Sequence, residues 1–579
     1  MYSDDKIILQ IVSLLKAYNI KRIVISAGTR HFPLIHSLEA DKFFKLYSVV
    51  DERSAAFFAL GLIQNTLEPV AVCCTSGSAV INYGSAVSEA FYQHLPLLLI
   101  TADRLPKLLN QLEDQMIDQV NIFRGFIKTC VNLTVINDES DEWYVNRLIN
   151  EALIELEHHG RGPVQINYPI SAHNVDKYQT EKLPDCRKIS LHTFEIDELD
   201  WQFFAEKLSN KKVMIIWGQS VIISEKLEKG LNEFCKRFNC VILSDNISNL
   251  RHSKVIRNTY VVLNAISSSE KAELMPDVVI SIGANIVFND SIKNYLKQSL
   301  NSFEHWIVGP IGKVCDPYRS LSDIFEMHEH IFFNKITNCA ANFNLDNKYF
   351  DKWKEVSEDI EEPNVPYSQL YAIGKLLKRL PSQSILHLGN SNTIRMGQLF
   401  EIDSSILCYC NRGVNGIDGC MSTAIGYSAE SDKLNFLVLG DLTFFYDMNS
   451  LWIKHLSNNL RILLINNGGG AVIHIPFDRE MGKSLPPFAS AGHNMSVEGW
   501  IKSLGFRYFS ANNQEEFDEK IELLVTDKSE VPICLEVFTQ LEEDIIILKD
   551  YFSRINRTTL IDRVKQKAKS VTTKYMKNI

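Results

Sequence analysis

In the last third of this 579-residue chain, two oxygen-bearing side chains stand twenty-six positions apart, each where an apolar run stops. Asp441 ends FLVLGD, and Asn467 ends RILLINN just ahead of Gly468, Gly469 and Gly470. Apolar runs of this length read as strands, and in an open parallel sheet ligands bind beyond the carboxyl ends of the strands. A carboxylate and an amide oxygen, joined by a main-chain carbonyl from the glycine run, suit Mg²⁺ or Ca²⁺ rather than zinc. Magnesium keeps water or borrows phosphate oxygens, so a phosphorylated cofactor is expected beside it. The glycines remove side chains where the main chain must approach that phosphate. Taken singly, GD and NNGGG are two turns after strands; their spacing and placement together make a site.

A second candidate stands far away in the chain. Glu52, in VVDERSAAFFALGL, follows a strand-like run and opens an apolar helix. An acidic residue in a first helical turn favours the helix dipole.

The elements that must position these groups alternate strand and helix throughout, which predicts parallel sheets covered by helices. KRIVISAG, PVAVCCTSG, LPLLLITAD and GPVQINYP are the strand runs of the first third. KVMIIWG, CVILSD, PDVVISIGA and HWIVGP serve the middle. SILHLGNS, ILCYCNRG, FLVLGD, RILLINNGGG and VPICLEVFT serve the last third. Such uniformly apolar runs suit strands buried on both faces. Polar connectors at 176–200 and 338–366 divide the chain into three doubly wound α/β domains, near 1–180, 190–340 and 360–550. A basic tail at 551–579 reads as a solvated helix or frayed end.

Bulk properties narrow the function. Hydrophobic residues are 45% and charged residues 22%, enough apolar matter for large cores. A net charge of −10 argues against a nucleic-acid partner. The twelve cysteines are scattered and form no CxxC, and Cys73-Cys74 and Cys408/Cys410 sit in apolar runs, which fits a reducing, cytoplasmic setting. MYSDDKIILQ is no secretory leader, and no run is long enough to span a membrane.

The segment from Gly440 to Gly470 resembles the thiamine-diphosphate (ThDP) motif, which begins GDG and closes with NN about two dozen residues later. Leu442 replaces the last glycine, a variant shared by one branch of that superfamily. Further pieces resemble the MenD family, the 2-succinyl-5-enolpyruvyl-6-hydroxy-3-cyclohexene-1-carboxylate synthases. They are DERSAAFFALGL (51–62), AVCCTSGSAV (71–80), LLLITADRLP (97–106), QMIDQ (115–119), GPVQINYPI (162–170), GNSNTIR (389–395), NRGVNGIDG (411–419), GDLTFFYDMN (440–449) and NNGGG (466–470). Their order and spacing cover most of the chain.

The resemblance implies three domains of the ThDP-enzyme type: pyrimidine-binding, middle Rossmann-like and diphosphate-binding. It implies Mg²⁺ held by Asp441, Asn467 and the carbonyl of Gly469, with Gly440, Leu442, Thr443, Asn390 and Ile417 about the cofactor. Glu52 becomes the carboxyl that activates the aminopyrimidine ring. The implied reaction decarboxylates 2-oxoglutarate and adds the resulting carbanion to isochorismate, two carboxylate substrates. Arg30, Arg104, Gln115, Ser391, Arg395 and Arg412 fall on the family's substrate-contacting positions. Arginine's planar fork suits carboxylates. In this superfamily the glutamate and magnesium domains meet across a subunit boundary, so a homodimer or homotetramer is implied.

The chain departs from the family pattern at several positions. His31 stands where a small hydroxyl is usual, and Gln115 follows Asp114 where Asn is usual. Asn289-Asp290 replace a Lys-Arg pair, with Lys293 nearby, and Ala471-Val472 replace Ile-Phe. Losing two cations beside anionic substrates weakens binding. Two other readings therefore stand beside the menaquinone step: a paralogue joining a different 2-oxoacid to a different acceptor, such as an activated sugar, and a non-catalytic ThDP-fold scaffold. A nicotinamide dehydrogenase is disfavoured, because no GxGxxG follows a strand.

Overall fold

Val70–Cys74 and Leu97–Asp103 are buried at every position, as are Val213–Trp217 and Leu460–Asn466. Strands with no polar face need cover on both sides, and the chain supplies it by returning through a helix after almost every strand. The computed structural model describes residues 1–170, 177–191, 200–299, 302–339, 348–470, 490–526 and 528–557.

Among the described residues the strands form three six-stranded sheets, parallel at every strand pairing within them. The first holds β1 (Arg22–Ile25), β2 (Lys45–Ser48), β3 (Val70–Cys74), β4 (Leu97–Asp103), β5 (Thr129–Asn132) and β6 (Val164–Pro169), in the order β2-β1-β3-β4-β6-β5. The second holds β7 (Val213–Trp217), β8 (Cys240–Leu243), β9 (Val255–Ile256), β10 (Val278–Ile282), β11 (Glu304–Gly309) and β12 (Leu321–Glu326), in the order β12-β11-β10-β7-β8-β9. The third holds β13 (Ile385–Leu388), β14 (Leu407–Tyr409), β15 (Asn435–Gly440), β16 (Leu460–Asn466), β17 (Arg507–Ala511) and β18 (Ile533–Phe538), in the order β14-β13-β15-β16-β18-β17. The outer two sheets repeat one strand order, and the middle one has the doubly wound order of a Rossmann fold. Every strand run named from sequence is a strand here. The strands that sequence pattern does not name, β2, β5, β9, β12 and β17, all lie at sheet edges and have mixed burial.

In each outer sheet the strand order reverses between the first and third strands, which opens a crevice at their carboxyl ends. Arg30 and Ser76 follow β1 and β3; Asn390 and Asp441 follow β13 and β15. The fold thus delivers the candidate residues to the two places where it leaves room for a ligand.

Two helices join these crevices. Glu52–Thr66 is capped by Asp51, whose carboxylate accepts Ser54 N–H, and Cys420–Ser428 begins after Gly419. Their main chains touch. A Cβ on Gly61 would lie 2.0 Å from the Thr423 carbonyl oxygen, and one on Gly426 would lie 2.0 Å from that of Phe58. Phe57, Phe58, Met421 and Ile425 pack into one core shared by the first and last domains.

Two expectations about connectors change. The stretch at 338–366 carries the helix Lys348–Glu358, whose Tyr349 and Trp353 are buried in the middle domain. Those rings are four residues apart, one helical face in an otherwise charged segment. The last helix, Leu541–Ile555, runs past 550 with Tyr551 buried, so the tail begins later than 551. Residues 558–579, the remainder of the basic tail, lie outside the described residues.

Candidate active site

Asp441 opens the helix Asp441–Asp447 at the end of β15 and is 2% exposed. Its Oδ2 accepts the main-chain N–H groups of Asn467 (3.2 Å), Gly468 (2.8 Å) and Gly469 (3.1 Å), and Oδ1 accepts that of Leu442 (2.6 Å). The two halves of the expected cation site are therefore one object. Gly468 and Gly469 carry positive φ values of 75° and 156°. Cβ atoms there would meet the carbonyl oxygens of His493 at 2.9 Å and Ser490 at 2.8 Å, so only glycine fits this close passage. Gly440 has open space around it, Thr443 is buried, and Leu442 packs beside Gly470.

Two buried acids that sequence pattern did not single out brace the asparagines. Glu536 on β18 accepts Asn466 Nδ2 at 2.7 Å, Ser496 Oγ and Val497 N–H. Asp544 on the last helix accepts Asn467 Nδ2 at 3.2 Å, Thr539 Oγ1 at 2.7 Å and Gln369 N–H at 2.8 Å. By taking the Asn467 N–H, Asp544 leaves the amide oxygen as the end free for a cation. Burial pushes Asp544 up to about 6, against those three donors. A lone glutamate inside the apolar strand ICLEVF was a readable signal for Glu536, because a buried carboxylate needs partners.

These residues fit a magnesium diphosphate. Burial raises the pKa of Asp441, while the Leu442 N–H, the His493 ring 3.4 Å away and the Gly468 and Gly469 N–H groups oppose it. A carboxylate this deep, with neutral N–H donors on both oxygens, suits a divalent cation. Gly440, with nothing within 4 Å of a Cβ built there, leaves room for phosphate oxygens.

Glu52 is half-buried at the start of its helix. Burial raises its pKa, its own N–H and Asn82 oppose the rise, and Asp51 adds to it. Its neighbours reach the GD helix Asp441–Asp447 and the turn after it: Arg53 Nη2 donates to the Tyr446 carbonyl at 2.8 Å, and Asn449 Nδ2 donates to Asp51 Oδ2 at 2.9 Å. The glutamate and the GD helix thus lie close within a single chain.

The candidate substrate residues form two clusters. In the first domain, Arg30 hydrogen-bonds Ser76 Oγ, which donates to the Gln115 carbonyl at 2.7 Å. Arg104 donates to the Asp114 carbonyl at 2.7 Å and pairs with Glu113 at 2.8 Å. Burial lowers the Arg30 pKa, and the charge of Arg104 lowers it further. In the last domain, Arg395 Nη1 donates to the Ser391 carbonyl at 2.6 Å, and Arg412 Nη1 donates to Asn390 Oδ1 at 3.1 Å. Burial lowers the Arg395 pKa and Arg412 adds to it, while Tyr260 and Asp290 oppose. Gln115 and Ser391 both hold positive φ, 53° and 78°. Strained non-glycine backbone of this kind gathers at functional sites.

Asn390 is 1% exposed, and its Nδ2 serves the carbonyls of Asn411 (2.5 Å) and Gly416 (2.7 Å). It holds the loop that carries Arg412 and Ile417 rather than facing open space. His31 is wholly buried beneath Gly28, and burial pushes it down to about 4, so its ring is neutral. Asp290 is exposed in the first turn of Asn289–Leu296, with Lys293 one turn on. Ala471 and Val472 lie outside the described residues.

Comparison with known proteins agrees with this geometry. Residues 7–122 match the family described as thiamine pyrophosphate enzyme, N-terminal TPP binding domain. The 2-succinyl-5-enolpyruvyl-6-hydroxy-3-cyclohexene-1-carboxylate synthases of Bacteroides fragilis and Bacteroides thetaiotaomicron are each 40% identical over 564 residues, covering 96% of this chain and all of theirs. That of Flavobacterium johnsoniae is 34% identical over 554 residues, covering 94% of this chain and 98% of its own. With its three parallel sheets and its glycine-lined aspartate, the chain belongs to the 2-succinyl-5-enolpyruvyl-6-hydroxy-3-cyclohexene-1-carboxylate synthase (MenD) family of thiamine-diphosphate enzymes.

Proposed function

We propose that this protein decarboxylates 2-oxoglutarate with ThDP and Mg²⁺ and joins the product carbanion to isochorismate, the carboligation of menaquinone biosynthesis. The observation that carries the reading is the closure of Asp441 Oδ2 over the amides of Asn467, Gly468 and Gly469, in a chain matched over 96% of its length by a named 2-succinyl-5-enolpyruvyl-6-hydroxy-3-cyclohexene-1-carboxylate synthase.

Asp441, Asn467 and the Gly469 carbonyl hold the metal, with Gly440, Leu442 and Thr443 shaping the turn around it. ThDP, when bound, supplies the carbanion chemistry. Glu52 keeps its proton to a higher pH than a free glutamate, because burial disfavours the charge. It is thereby suited to share a hydrogen bond with a ring nitrogen. Ile417 props the cofactor from the loop that Asn390 braces. Arg395, Ser391 and Arg412 take the donor carboxylates; Arg30, Arg104 and Gln115 face the acceptor.

The pyrimidine-binding role goes to residues 1–180, the middle role to 190–340 and the diphosphate-binding role to 360–550. We assign a cytoplasmic homodimer or dimer of dimers. Among the described residues no helix is long and apolar enough to cross a membrane.

The test is turnover of 2-oxoglutarate plus isochorismate in ThDP and Mg²⁺, followed by product mass. Formation of the ligated product is expected. No product, with ThDP still bound, would move the assignment to another acceptor, a shift that Asp290 beside Arg395 would explain.

A further inference from the structure

All three domains meet on one short loop, Asn411 to Val414, which carries Arg412. From the first domain, Glu89 on the helix Gly84–Gln93 reaches across 324 residues. Its Oε1 accepts Gly413 N–H and its Oε2 accepts Val414 N–H, each at 2.7 Å. From the middle domain, Asn285 Nδ2 donates to the carbonyls of Arg412 (2.9 Å) and Gly413 (3.1 Å). From the last domain, Asn390 holds the Asn411 carbonyl and accepts from the Arg412 guanidinium. Glycine is required at 413, because a Cβ there would lie 2.7 Å from the Glu89 carbonyl oxygen.

Arg412 is 6% exposed, and its Nε has no partner among the described residues. A buried guanidinium N–H without an acceptor is one that a ligand oxygen can satisfy. Burial lowers the Arg395 pKa, and the charge of Arg412 lowers it further.

We propose that Glu89 and Asn285 are positioning residues for the 2-oxoacid donor. Gripping the loop main chain from two domains, they hold Arg412 where its free Nε–H meets the donor carboxylate. Neither touches the substrate. This rests on the reading of Arg412 as a carboxylate anchor. Arg412 carries a long, flexible side chain, so its aim depends on how firmly its own main chain is held. The clamp also makes donor affinity depend on how the three domains sit together.

The experiment uses the full chain loaded with ThDP and Mg²⁺, with KM and kcat measured separately for 2-oxoglutarate and isochorismate. Glu89→Gln should raise the donor KM by about ten- to a hundredfold, the scale of a misplaced binding group. Acceptor KM and ThDP affinity should stay unchanged, and kcat should change far less than donor KM. Hydrogen exchange at the Gly413 and Val414 amides should quicken in the same variant. Asn285→Ala, on the other side of the loop and only partly buried, should raise donor KM as well, which separates aim from folding. Arg412→Ala sets the scale. If it leaves donor KM unchanged, the anchor reading fails and the proposal falls with it. If it raises donor KM while Glu89→Gln and Asn285→Ala do not, the anchor stands and the clamp is overturned.

Discussion

Asp441 Oδ2 accepts the main-chain N–H of Gly468 at 2.8 Å, so the side chain at the end of β15 is closed over by the backbone at the end of β16. Charge and shape at this point are inseparable. Asp441→Asn keeps one oxygen but turns an NH₂ toward N–H groups that need an acceptor. Leaving a buried donor unsatisfied costs about 1–3 kcal/mol. We expect Mg²⁺-dependent ThDP binding to be lost in this variant, with a lowered melting temperature. Fluorescence titration with ThDP, with and without Mg²⁺, decides it; equal retention by variant and parent would remove the metal role.

Glu52→Gln should separate binding from chemistry. The amide preserves size at the helix start, and Asp51 still caps the helix through Ser54 N–H at 3.1 Å. A loss of about 10²–10⁴-fold in kcat is expected, the range for a positioned acid or base. ThDP affinity should hold. A variant that turns over normally would transfer the role to another group.

The crossing of helices Glu52–Thr66 and Cys420–Ser428 leaves no room for one methyl group. Gly61→Ala places a carbon against the Thr423 carbonyl, and overpacking of this kind costs about 1–3 kcal/mol. Gly499→Ala is the control, since nothing lies within 4 Å of that position in the helix Glu498–Ser503. A Gly-to-Ala change in an open helical site gains about 0.5–1 kcal/mol. Thermal melts should therefore move in opposite directions. Parallel shifts would show that the crossing tolerates more separation than its contacts indicate.

Asp447 should make stability depend on pH. It is wholly buried, and burial pushes it up to about 7 from 3.8. Ser422 opposes the rise through its N–H at 2.7 Å and its hydroxyl at 2.6 Å. A carboxyl raised on folding contributes fully below 3.8, and that stability is lost as pH climbs through about 7. Asp447→Asn cannot ionise, and its amide can still serve Ser422 from both ends. Its melting temperature should gain on the parent from about pH 5 to about pH 8. A constant difference over that interval would show that Asp447 does not titrate there.

The interior of each sheet was legible because a strand buried on both faces must be apolar at every position. Val70–Cys74 and Leu460–Asn466 announce themselves that way. Edge strands such as Arg507–Ala511 carry charge and mixed exposure, so their pattern resembles a loop. Tyr349 and Trp353 were hidden for the opposite reason, two core rings in a segment otherwise rich in Lys, Glu and Asp.

From its sequence alone this protein determined its α/β class and its three sheets, because periodicity is a local property. Asp441 and Asn467 could be named as site candidates for a like reason, and Glu52 and the arginines through the family resemblance. Tertiary structure alone decided what holds them. Asp544 against Asn467, Glu89 beneath Gly413 and Asn285 above Arg412 join residues that are 77, 324 and 127 positions apart. A buried acid or amide has no pattern of its own in the chain. Its partner is chosen by which unsatisfied N–H or carbonyl the packed domains bring within reach, and only folding settles that.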